Sequence, residues 1–119
     1  MSFAIRIRPH VLHEFEQAKL CFEKGDFEES FKHLENAHVL GQRSTRLHVL
    51  AHLRMAQWAI AQRAPKEFFG QLFRIVGAAA KTFLGLVPSG NTGGSNVSPF
   101  KPMPLSVEHQ TLIERAKKT

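Results

Sequence analysis

The chain has 119 residues, 43% of them hydrophobic. That favours one compact domain over residues 1–119 with a real core and excludes a disordered chain. No apolar run approaches the roughly 20 residues needed to span a bilayer, and Met1–Arg8 alternates apolar and basic residues without a signal-peptide core. The lone Cys21 excludes an internal disulfide and fits a reducing, cytoplasmic setting, where it packs as a small hydrophobe. Net charge is +6, which favours acidic partners. The excess is dispersed over Arg43, Arg46, Arg54, Arg63, Arg74 and Lys81, so a solvated basic surface explains it as well as a binding face does.

Pro9 suits the first turn of a helix over residues 9–24, whose buried stripe is Val11, Phe15, Ala18 and Phe22. Before it, Phe3–Arg8 alternates like a short strand. Gly25 ends this helix, and Asp26 with Glu29 has capping-box spacing for a second helix over residues 26–40. Phe27, Phe31, Leu34 and His38 form its inner stripe, and Gly41 marks its end. Ser44 or Thr45 caps a third helix, residues 45–63, apolar around most of its circumference and therefore central. Pro65 opens a fourth, residues 65–84, on which Phe69, Leu72, Phe73, Val76, Ala80 and Phe83 form the expected core face.

Residues 85–104 are rich in Gly, Pro, Ser and Asn and lack regular structure, while their interspersed apolar residues predict a long ordered loop lying over the core. Ser106 caps a short last helix, residues 106–117. The fold class is all-α: four to five antiparallel helices joined by short turns, with a long ordered loop.

The chemistry-bearing pattern is E-x-x-H at Glu35 and His38 followed by H-x-x-x-H at His48 and His52. Residues three or four apart share a helix face. If the chain reverses between Gly41 and Ser44, residues equidistant from that turn lie at equal height. His38 then pairs with His48, and Glu35 with His52. On a helical wheel His38 falls in the Phe27–Phe31–Leu34 face, and His48 and His52 fall beside Met55, Ala56 and Ala59. His10, His13 and His33 fall on polar faces and are expected in solvent.

An imidazole buried without a partner costs on the order of 1–3 kcal/mol, so three together call for a shared one. One divalent transition metal, held by Glu35, His38, His48 and His52, is such a partner. Three nitrogens and a carboxylate suit zinc best, with iron, nickel, copper and manganese also open. Hydrogen bonds among the four residues and the backbone are the competing explanation; haem or another ligand is a third. The third helix has no Asp or Glu, so the carboxylate complement of a di-iron bundle is missing. In the loop, Asn91 and Asn96 are candidates for hydrogen bonds behind the ligands. GNTGGSN lacks the Gly-Lys-Ser/Thr ending of a phosphate loop. No nucleophile elbow or placed acid pair favours an enzyme. Lacking Tyr and any dense basic helix, the chain is also a poor nucleic-acid binder.

Residues 18–37 resemble one tetratricopeptide unit through Ala18, Gly25, Phe27, Leu34 and Ala37. That resemblance implies a helical hairpin and, with it, an interaction module offering a groove or loop to an acidic protein partner. The segments LENAHVLGQ, His48 with His52, GQLFRI and LGLVPSGNTGGSNVSPFKPMP resemble the bacterial family catalogued as domain of unknown function 3703. That resemblance implies a bacterial cytosolic protein of one short domain. It supplies no catalytic or binding residue and leaves the oligomeric state open.

Overall fold

The computed structural model describes residues 2–84 and 103–118, with the backbone alone for residues 78 and 80–84. Asn91, Asn96 and the predicted course of the loop through residue 102 lie outside the described residues. Five helices follow in chain order: α1 (Phe3–Glu23), α2 (Phe27–Gly41), α3 (Thr45–Ala61), α4 (Pro65–Leu84) and α5 (Val107–Lys117). No strand occurs among the described residues, and none of their helices is long and apolar enough to cross a membrane. Successive helices reverse through tight turns, so α1 packs on α2, α2 on α3 and α3 on α4. The last helix lies across α1 and α2.

The first helix begins six residues earlier than its proline suggests. Ser2 caps it, its hydroxyl accepting from the Ile5 N–H at 3.3 Å. The alternating start also reads with period four, as Phe3, Ile7 and Val11. Ile7 and Val11 are fully buried and join Ala37, Leu40, Leu47, Ile113 and Ala116 in the principal core. Packing against α2 and α5 therefore outweighs the interior Pro9, which costs about 3 kcal/mol in a helix. Pro9 is exposed, as is Ile5, whose carbonyl loses its partner. The water-facing side is the least costly place for that loss. Arg6 Nε adds a bond to the Ala116 carbonyl at 2.5 Å.

At the end of α1 the Gly25 N–H donates to the Phe22 carbonyl at 3.0 Å and the Asp26 N–H to that of Cys21 at 2.9 Å. With Gly25 at φ +82°, this is a Schellman closure. It holds Asp26 at φ −87°, ψ 68°, and the Asp26 side chain makes no cap bond, so the expected capping box is not formed. The same closure ends α3, with Ala64 donating to Ala59 at 2.9 Å and Arg63 to Ile60 at 3.1 Å. Here the left-handed position is occupied by Arg63, at φ +52°. Cys21, expected to be buried, is only half-buried; its carbonyl accepts from the Asp26 N–H in the turn that closes α1.

The Ser30 hydroxyl, buried, donates to the Ala18 carbonyl at 2.8 Å and ties α1 to α2. Gly41 serves packing rather than turning. A Cβ there would lie 3.0 Å from Leu47 Cβ and 3.4 Å from Val11 Cγ2, so its lack of a side chain lets α1, α2 and α3 converge at the end of α2.

The orientation of α4 departs from its amphipathic pattern. Of the expected core face, Phe69, Leu72, Phe73 and Val76 are 43–75% exposed, and the side chains of Ala80 and Phe83 lie outside the described residues. Gln71 and Arg74 are buried instead. Among described elements α4 packs only on α3, so it has one stripe to bury. The stripe turned to α3 is the one that meets His52 with a hydrogen-bonding group, the Gln71 amide.

Candidate metal centre

His38 comes from the last turn of α2, and His48 and His52 from successive turns of α3. All three side chains are buried, at 3%, 5% and 2% exposure. The register follows from the turn at residues 42–44. Ser44 caps α3 by accepting from the Leu47 N–H at 3.4 Å, and the Ser44 N–H donates to the Gly41 carbonyl at 2.9 Å. This tight reversal sets His38 level with His48, as equal spacing from the turn predicts. Their Nε2 atoms are 3.0 Å apart. The His52 ring stands 4.6 Å from that of His38 and 5.0 Å from that of His48, centroid to centroid.

One nitrogen from each ring falls within 4.8 Å of the others, an arrangement able to hold a metal ion. Ligands at the usual zinc–imidazole distance would be about 3.4 Å apart around a tetrahedral ion. The closest pair is already nearer than that, and the widest needs only a shift of an ångström or so. Glu35 is half-buried one turn before His38 and is not one of the three mutually close donors.

Sequence reasoning missed the contribution of α4. Gln71 Oε1 lies 2.5 Å from His52 Nδ1, and Gln71 Nε2 donates to Glu67 Oε2 at 2.7 Å. Arg74 is buried one turn further along. Its burial lowers the guanidinium pKa from its ordinary value, while the nearby Glu67 carboxylate opposes that shift. A signal was present: Glu67, Gln71 and Arg74 recur at helical spacing, a polar stripe beside the Phe-rich one.

Of the histidines expected in solvent, His13 is exposed and His10 half-buried. His33 is instead 2.7 Å from Glu14 Oε2 across the α1–α2 interface, with side-chain exposures of 22% and 14%. A wheel drawn for one helix cannot show an acidic group brought up by its neighbour.

Outside this centre, a groove of about 660 Å³ opens between α1 and α3. Phe15, Phe22 and Trp58 are among the residues that line it, with Lys19, Glu16 and Arg54. Arg54 lies over the Phe15 ring at 5.6 Å.

A family model described as "Protein of unknown function (DUF3703)" matches residues 5–113. No curated protein and no solved structure matches the chain.

Proposed function

The chain belongs to the DUF3703 family, whose description assigns no activity, and from the site itself we propose that it binds one divalent transition metal through His38, His48 and His52. The observation that carries this reading is the mutual approach of three buried imidazoles to within 4.8 Å. Nitrogen donors without thiolate favour borderline ions over calcium or magnesium, and a tetrahedral site favours zinc, with nickel, copper, iron or manganese as competitors. Glu35, one turn from His38, is the proposed fourth ligand. The role is metal handling or sensing in the cytoplasm.

Elemental analysis of untagged protein tests the proposal. About one zinc or other transition-metal ion per chain supports it, as does its loss in the double variant His48→Ala/His52→Ala. Metal-free protein that also takes up no zinc, nickel or copper on dialysis rejects it.

The groove between α1 and α3 favours a second reading, a protein-interaction module. Lys19 and Arg54 beside its aromatic residues suit an acidic segment carrying an apolar side chain. Reversing both charges would then abolish capture of such a peptide and leave metal content unchanged.

A further inference from the structure

The group behind His52 fixes which of its nitrogens can act as a ligand. A carboxylate only accepts hydrogen bonds, so Glu67 Oε2, 2.7 Å from the Gln71 amide, selects the NH2 end of that amide. The amide oxygen of Gln71 must then face the other way, where it meets His52 Nδ1 at 2.5 Å. An amide oxygen also only accepts. The proton therefore sits on His52 Nδ1, and Nε2 keeps its lone pair.

We infer that Glu67, acting through Gln71, locks His52 in the Nδ1–H tautomer, so that the three donors form an all-Nε2 set. His38 and His48 already oppose each other through Nε2 at 3.0 Å. An ion between them takes the place of the hydrogen in that contact, and the ring that carried it ligates through Nε2 once that proton has passed, through solvent, to its own Nδ1. A histidine side chain free in water prefers the opposite tautomer, with Nε2 protonated, so this imposed state is a property of the fold. Gln71 is fully buried and the relay is short, so the orientation is set before any ion arrives. Gln71 and Glu67 are positioning residues; neither touches the ion. Metal-ligating histidines are commonly oriented by such a partner on the second ring nitrogen, and loss of that partner weakens binding about 10–100-fold.

The tautomer is readable without metal, so this inference and the metal reading on which its consequence rests fail separately. Long-range proton–nitrogen correlation spectra of 15N-labelled, metal-free protein should show His52 with a protonated Nδ1 and an unprotonated Nε2. Gln71→Leu should convert His52 toward the Nε2–H form, Glu67→Leu should do so in part, and Glu67→Gln, which keeps an acceptor, should leave the signature in place. In zinc titrations Gln71→Leu should weaken binding about 10–100-fold with stoichiometry unchanged. A protonated Nε2 on His52 in the wild type overturns the inference, as does a Gln71→Leu spectrum identical to it. Wild-type protein with the assigned tautomer and no zinc uptake rejects the metal reading alone.

Discussion

Replacing His48 by Ala is the sharpest perturbation of the proposed site. His48 contributes the nitrogen 3.0 Å from its partner on α2, and its loss leaves two imidazoles. A ligand that binds only the folded state stabilises by about 2.7 kcal/mol at a free concentration of 100 Kd. For a domain of this size that corresponds to a rise in Tm of about 10 °C, at roughly 3–5 °C per kcal/mol. The comparison to make is the shift on adding zinc, measured by calorimetry against the same protein in chelator, because His48→Ala also lowers the metal-free Tm through the cavity it leaves. Wild type should gain about 10 °C, His48→Ala about 2 °C or less, and the exposed control His13→Ala the full amount. A zinc-induced shift of equal size in wild type and His48→Ala would refute the reasoning, since the ion would then be held elsewhere. So would no shift in wild type.

Three further outcomes test the fold that positions the site. Pro9→Ala should raise stability by about 1–3 kcal/mol in urea unfolding, because it restores a bond inside α1; a loss of stability would mean that α1 does not run through this residue. Arg63→Gly should stabilise by roughly 0.5–1 kcal/mol, removing a side chain from a left-handed position, whereas destabilisation would contradict the closure described for α3. Phe73→Ser should change stability by no more than about 0.5 kcal/mol if this face is exposed; a loss of several kcal/mol, as for a Phe removed from a core, would show that the apolar stripe of α4 is covered.

The centre was legible in the sequence to the extent that local rules decide it. Spacing within α2 and α3 and the short turn between them were enough to bring His38 opposite His48, because helix rise and a two- or three-residue reversal leave little freedom. The same rules put His52 on the inner face. They did not reveal that α4 completes the site. Its Phe stripe outweighs its polar stripe in any measure of amphipathicity, and only the imidazole waiting on α3 makes Gln71 the better residue to bury. The start of α1 was hidden for a related reason. Phe3–Arg8 satisfies both a two-residue and a four-residue period, and the choice depends on Ile113 and Ala116, more than a hundred residues away. The pairing of His33 with Glu14 is likewise set by helix packing, not by local pattern.

The central claim is that one ion sits among three imidazoles from α2 and α3. X-ray absorption on zinc-loaded, untagged protein addresses it directly. The account predicts a four-coordinate ion with three imidazole nitrogens at about 2.0–2.1 Å and the loss of one imidazole from the shell in His52→Ala. A shell of oxygen ligands, or one unchanged in that variant, would contradict it.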